Sequence, residues 1–406
     1  MTLAPSHADV TRRERPTLDP ALLDPTGLHP DGLELAMQPF GRSRMLPAAA
    51  YTSPEVFAWE RRHLFAGTWT CLGREQELRS AGETTVTQRA VMVGDVSVLL
   101  TWSDLGLKAF ANTCRHRGHE LVGDGQSSTK RSIVCPYHAW SYDMAGSVRA
   151  APGYRELQDF DPVEHSLVEL PVENWHGWVF VHALNDIKQG APVSFATHVG
   201  ALEGLIAPYR PETLEFGESH SYEVAANWKV ITENYHECYH CPLIHPELCQ
   251  VTPPGSGENY EMPGAWVGGW MDLRDGMATM SITGDSDGQP IEGVDPRRVE
   301  YLGLFPNLLI SPHPDYVMTH RMVPLAPDRT WVECSWYFPD ATVDPSYAVK
   351  FWDITNRQDW SACESVQRGL ASPHFRPGLL GPDEDAVHHF VTMVGRGYRG
   401  LPLHEV

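Results

Sequence analysis

Apolar and polar positions change rhythm twice along this chain. Between residues 69 and about 180 the apolar residues fall in short β-rich runs separated by glycine-containing turns. The runs at 84–88, 91–93, 96–101, 107–112 and 133–135 predict a small all-β module. Beyond residue 180 the pattern is mixed. Residues 219–226 alternate like a strand and lead into a helix that starts at Asn227, a good N-cap. Residues 308–311, 316–325 and 330–338 predict strands, the last two joined by the turn Ala326-Pro327-Asp328-Arg329. Helical spacing runs over 348–370, up to Ser372-Pro373, and over 383–398, after Gly381-Pro382. Strands in series with long helices give an α+β class with a mainly antiparallel sheet.

The remaining stretches are less regular. Residues 53–65 predict a short helix with Ser53 as N-cap and Pro54 at its first position. Residues 1–45 are rich in proline and charge without a period, and predict an extended arm. Residues 252–289 mix glycine, aspartate and aromatics and predict no clear element. There is no internal repeat. The expected division is an arm at 1–45, a β module at 46–180 and a second domain at 181–406.

Composition narrows the function classes. A net charge of −21 over 406 residues excludes a nucleic-acid binder that works through a basic surface. It suits solubility, and it would attract a cationic substrate or partner. Eight cysteines are too few for a disulfide scaffold. No apolar signal segment occurs in residues 1–15, and the longest apolar run, 91–101, is broken by Gly94-Asp95 and reads as a hairpin. The expectation is a cytoplasmic protein, with no membrane span and with reduced thiols.

Candidate chemistry is densest at Asn234-Tyr235-His236-Glu237-Cys238-Tyr239-His240-Cys241-Pro242-Leu243-Ile244-His245. Three readings compete there. His236-Glu237-Cys238-Tyr239-His240 fits H-E-x-x-H, the zinc-protease helix. His240 and His245 with a distant carboxylate would make the two-His, one-carboxylate triad of non-haem Fe(II) oxygenases, with the helix ending near Cys241 because Pro242 cannot continue it. The third reading is a capped amphipathic helix with solvated histidines.

A second constellation lies in the β module. Cys114-Arg115-His116 and Cys135-Pro136-Tyr137-His138 are separated by eighteen residues between His116 and Cys135. One Cys and one His in each of two loops favours iron over zinc, because a Rieske [2Fe–2S] centre holds one iron by two Cys and the other by two His. A non-enzymatic iron–sulfur electron carrier would show this constellation alone.

With both motifs in order, and with Asn227-Trp228-Lys229, Gln358-Asp359 and Val366-Gln367-Arg368-Gly369-Leu370, the chain from about residue 50 resembles the catalytic subunit of Rieske non-haem iron oxygenases. The resemblance implies an N-terminal all-β Rieske domain before an antiparallel-sheet-plus-helices catalytic domain. It implies a cluster on Cys114, His116, Cys135 and His138, and Fe(II) on His240, His245 and Asp359. It also implies that Glu237 links His240 to His138 of a neighbouring subunit in a homotrimer, and that a separate NAD(P)H-dependent reductase supplies the electrons. His236 then becomes a helix-surface residue, and Cys238 and Cys241 become small buried groups. Glu237, where ring-hydroxylating relatives commonly carry Asp, is similar to the branch that oxidises quaternary ammonium compounds. So are the segment 268–276 and the tail 384–390.

The expected substrate is a small betaine-like cation, oxidised by O2 at an N-methyl carbon with release of formaldehyde. An aromatic substrate is the alternative. Trp266, Trp270, Tyr260 and Phe305 are the candidate pocket aromatics, since aromatic faces attract quaternary ammonium groups. Arg274 is the candidate partner for a substrate carboxylate.

Overall fold

The computed structural model describes residues 28, 30–154, 156–185 and 193–403. Residues 1–27 of the expected arm lie outside them. The chain divides into two compact units, Glu60–Phe195 and a larger one formed by the preceding residues together with Ala196 onward.

The smaller unit is all β. The runs expected from the pattern pair antiparallel in a five-stranded sheet, in the order Glu169–Leu170, Gly106–Ala111, Val96–Ser103, Gln88–Val93, Ser127–Ser128. Val93 faces Val96 across the Gly94-Asp95 turn, so residues 91–101 do form a hairpin. Two three-stranded sheets and a two-stranded one, Ser80–Ala81 with Thr84–Thr85, complete the unit. One of them, Ile133–Val134, Ser141–Tyr142 and Val148–Ala150, carries the second Cys/His loop at its turn.

The larger unit is built on a seven-stranded antiparallel sheet. Its strands are β1 (Glu215–Val224), β2 (Glu258–Asn259), β3 (Trp266–Asp272), β4 (Arg298–Leu304), β5 (Leu308–Pro312), β6 (Val317–Ala326) and β7 (Arg329–Phe338). The spatial order is β1-β7-β6-β5-β4-β3-β2. Three helices matter for the site: α1 (Trp228–Tyr235), α2 (Ser346–Leu370) and α3 (Asp385–Tyr398).

Asn227 caps α1. Its Oδ1 accepts the Lys229 N–H at 3.0 Å, and its Nδ2 donates to the Pro327 carbonyl at 2.6 Å in the β6–β7 turn. Its own N–H donates to Gln367 Oε1 at 2.9 Å, and Gln367 Nε2 donates to the Tyr51 carbonyl at 3.2 Å. These bonds fix α1 against α2, and so fix two segments distant in sequence that carry the site. An N-cap of this kind stabilises by about 1 kcal/mol.

The structure departs from the sequence expectation in four places. Residues 46–59 pack with the larger unit rather than with the β module, and Tyr51 donates to Glu233 Oε1 at 2.7 Å there. Part of the expected arm, Pro30–Ala36, is helical because tertiary contacts hold it: Leu33 and Ala36 are buried, Met37 meets Gly395 of α3, and His388 of α3 donates to the Gln38 carbonyl at 2.9 Å. The irregular stretch 252–289 contains β2 and β3. Gly268 hides β3 from a pattern reading, yet a Cβ there would stand 2.1 Å from the Tyr301 carbonyl oxygen, and its φ is +152°. Glycine is what lets β4 approach. Finally, α1 ends at Tyr235, several residues short of Cys241.

Candidate metal centres and substrate cavity

The early end of α1 shapes the first site. In a continued helix the His240 N–H would bond to the His236 carbonyl. It donates instead to Glu237 Oε2 at 3.1 Å, and two short helices, Cys241–Ile244 and Pro246–Val251, follow with prolines in their first turns. The H-E-x-x-H geometry is therefore absent. His236 is not a surface residue: it is the C-cap of α1, 5 % exposed, and burial holds its ring neutral, with a pKa down to about 3. Cys238 and Cys241 form a disulfide, because the turn brings their Cα atoms to 4.9 Å. They are not the two free thiols the sequence suggested.

His240 and His245 converge with Asp359, a mid-α2 residue, so that one ligand atom from each lies within 4.8 Å of the others. His245 Nε2 is 2.8 Å from Asp359 Oδ1 and 3.1 Å from His240 Nε2, which is itself 3.4 Å from Asp359 Oδ1. Each imidazole is oriented through its other nitrogen. His240 Nδ1 donates to Glu237 Oε1 at 2.5 Å and His245 Nδ1 donates to Gln358 Oε1 at 2.7 Å. That leaves both Nε2 lone pairs for a metal, the usual outer arrangement of ligating histidines. Burial lowers the His240 pKa, but bonds to Asp359 and Glu237 outweigh it and hold it at about 9. Asp359 is partly buried, and desolvation raises its pKa, yet the two histidines pull it below the ordinary carboxylate range. A site that stabilises positive charge this strongly, with two imidazoles and one carboxylate, suits Fe(II).

The second site is a pair of matching loops. The Cys114 N–H donates to the His119 carbonyl at 2.8 Å and the Gly118 N–H returns to the Cys114 carbonyl at 3.0 Å. The Cys135 N–H donates to the Trp140 carbonyl at 2.8 Å and the Ala139 N–H returns to the Cys135 carbonyl at 3.1 Å. Gly118 and Ala139 occupy equivalent positions with φ of +74° and +58°. Both cysteines are buried, while His138 is exposed and His116 half-buried, with the two rings 4.7 Å apart. Two inward thiols and two outward imidazoles fit a [2Fe–2S] cluster whose histidine-held iron faces outward.

Beside the His240–His245–Asp359 group lies a cavity of about 810 Å³. Of the sequence candidates, only Trp270 lines it, and the Arg298 guanidinium stands 3.8 Å from that ring's centroid. Trp266 is buried and donates to the Pro263 carbonyl; Phe305 is buried against Trp228; Tyr260 donates to Glu300; Arg274 is engaged by the Cys249 carbonyl. None of these four lines the cavity. The walls are made instead by Tyr235, Tyr301, Trp352 and Trp360, with Glu258 and Asp385 among the carboxylates. Tyr301 was missed because Gly303 masks the alternation of β4.

Comparison with known proteins agrees with both centres. Residues 68–161 match the Rieske [2Fe-2S] domain and residues 211–400 match the ring hydroxylating alpha subunit (catalytic domain). The chain is 28 % identical to the glycine betaine monooxygenase oxygenase subunit of Chromohalobacter salexigens, over 93 % of this chain and 92 % of that one. It is 28 % identical to the carnitine monooxygenase oxygenase subunit of Escherichia coli K12, over 87 % and 94 %. Among solved structures, a quaternary ammonium Rieske monooxygenase that oxidises carnitine matches its fold with a TM-score of 0.72 at 23 % identity, covering 91 % of this chain and 98 % of the other. Naphthalene 1,2-dioxygenase from Rhodococcus sp. matches with a TM-score of 0.68 at 17 % identity, covering 91 % and 97 %.

The fold and the two centres are those of an O2-activating iron oxygenase. The chain belongs to the Rieske non-haem iron oxygenases, as the catalytic subunit, and its cofactors are a [2Fe–2S] cluster and a mononuclear iron. Among the described residues no helix is long and apolar enough to cross a membrane.

Proposed function

We propose that this oxygenase removes an N-methyl group from a betaine-like quaternary ammonium compound in the cytoplasm. The observation that carries this is the cavity wall. It combines aromatic faces with carboxylates and, among the described residues that line it, no Lys or Arg. Such a wall favours a cation through ring quadrupoles and charge. The named activities of the relatives, on glycine betaine and carnitine, support the same class.

In this reading His240, His245 and Asp359 hold the iron, and Cys114, His116, Cys135 and His138 hold the cluster. When bound, the iron would supply O2 activation and the cluster would supply one-electron transfer, with the electrons coming from a separate NAD(P)H-dependent reductase. Glu237 and Gln358 keep the two imidazoles in the tautomer that presents Nε2. The aromatic wall places a methyl group of the substrate toward the triad. Insertion of one oxygen atom of O2 into that C–H bond, with the other reduced to water by two reductase-derived electrons and two protons, gives an N-hydroxymethyl ammonium, whose C–N bond breaks to release formaldehyde, a proton and the demethylated amine.

A homotrimer completes the reading. Val134 and Tyr137 beside His138 are 45 % and 53 % exposed, while Tyr239 and Leu243 beside Glu237 and His240 are 70 % and 91 % exposed. Two exposed apolar patches, one at each centre, suit a head-to-tail ring in which Glu237 meets a neighbour's His138. Sedimentation should give a trimer; a fully active monomer would exclude this arrangement.

The function is tested by a substrate panel with a surrogate reductase, following O2 uptake and formaldehyde together. Formaldehyde formed in step with O2 from glycine betaine, proline betaine or carnitine is the expected result. Coupled turnover of an aromatic acid, with every ammonium compound inert, overturns it.

A further inference from the structure

His236 belongs to the H-E-x-x-H pattern, yet neither metal centre uses it. It lines the cavity, and both of its ring nitrogens are buried without a hydrogen-bond partner. An orphaned buried polar group is destabilising, and a ligand in the cavity that bonds to it would remove that cost. Tyr301 also lines the cavity, and its hydroxyl is likewise buried and unpartnered.

The sheet places these two groups side by side. Tyr301 and Gly303 are two residues apart on β4 and so share a face. The His236 ring occupies the space above Gly303, where a Cβ would stand 2.3 Å from its Nε2. Both rings also pack on Tyr235, at centroid distances of 5.0 Å for His236 and 6.0 Å for Tyr301. The Tyr235 hydroxyl is already engaged by Ser311 Oγ at 2.7 Å and the Ile310 carbonyl at 3.1 Å. It adds no donor of its own.

Two further cavity residues, His320 and Trp360, also carry unpartnered atoms. His320 donates through Nε2 to Asn356 Oδ1 at 3.0 Å, so its Nδ1 is a bare acceptor. Its ring lies edge-on to Trp360, 6.1 Å away, whose indole N–H is a free donor. His320 is already held through its other nitrogen, whereas neither ring nitrogen of His236 has a partner and the Tyr301 hydroxyl has none. Burial keeps both neutral at physiological pH, the first by lowering its pKa and the second by raising it.

We propose that the His236 ring N–H and the Tyr301 O–H form the subsite that binds the carboxylate of the substrate. A carboxylate is an acceptor-only group with lone pairs for several donors, and so satisfies both. Arg274 does not line the cavity, so the anionic end is held by neutral donors while the aromatic wall takes the ammonium end. This rests on the reading of the cavity as a quaternary-ammonium pocket.

The test compares glycine betaine with tetramethylammonium, which has the same cationic head and no carboxylate. Tyr301→Phe removes only the hydroxyl, His236→Leu removes the donor, and His236→Gln restores one. With iron and cluster content unchanged, Tyr301→Phe and His236→Leu should each raise KM for glycine betaine at least about tenfold. KM for tetramethylammonium should stay within about twofold, and His236→Gln should recover most of the loss. Equal changes for both substrates, no change for either, or loss of iron in Tyr301→Phe overturns the subsite alone. A wild-type enzyme that oxidises none of glycine betaine, proline betaine, carnitine and tetramethylammonium overturns the ammonium reading and the subsite with it.

Discussion

Glu237 binds His240 twice: Oε1 takes the ring at Nδ1 and Oε2 takes the backbone N–H. One carboxylate thereby sets both the orientation of the His240 imidazole and the turn that follows α1. Glu237→Gln keeps an oxygen for the ring N–H but loses the charge. Iron and cluster content should stay at wild-type levels, while coupled O2 uptake falls by about 10- to 100-fold. Unchanged turnover would remove Glu237 from the route between centres.

The convergence of His240, His245 and Asp359 predicts a clear split among single variants. His240→Ala, His245→Ala and Asp359→Ala should each deplete mononuclear iron and abolish turnover while the visible spectrum of the cluster persists. His236→Ala should retain iron. Metal analysis beside the absorption spectrum decides this, and equal iron loss in His236→Ala and His245→Ala would contradict the ligand set.

The matching loops around Cys114 and Cys135 predict a brown protein with about three irons and two acid-labile sulfides per chain, by ligand counting. Cys114→Ala and His138→Ala should lose the cluster signal and spare the mononuclear iron. Zinc without labile sulfide in anaerobically purified protein would falsify the assignment.

Glu233 predicts a pH dependence of stability away from the metals. Burial raises its pKa from 4.5 to about 7, against the lowering effects of the Tyr51 hydrogen bond and of Lys229. The folded protein therefore holds a proton between about pH 4.5 and 7 that the unfolded chain has released. Stability falls as pH rises through that window and levels off above it, by roughly 3 kcal/mol for this group. Glu300, also raised to about 7 by burial, adds in the same sense. Urea midpoints measured from pH 5 to 8 should show the decline, and Glu233→Gln should make it shallower. An identical slope in the variant would rule out Glu233 as a source.

The sequence by itself determined the α+β class, the two Cys/His loops and the crowding of donor side chains near His240, because these depend on local order. Alternation marks strands, spacing marks helices, and donor residues must sit in short loops to share one cluster. It failed where distant segments decide the outcome. Gly268 and Gly303 look like breaks in a pattern, but they are close approaches between β3, β4 and the His236 ring, visible only once the strands pair. The early end of α1 follows from the Glu237 carboxylate competing for the His240 N–H, a contest that helical spacing does not register. For the same reason the pocket candidates of the sequence, Trp266, Tyr260, Phe305 and Arg274, gave way to residues from five separated segments. Which face of a strand or helix meets a cavity is set by its neighbours in space, and only the tertiary structure supplies those neighbours.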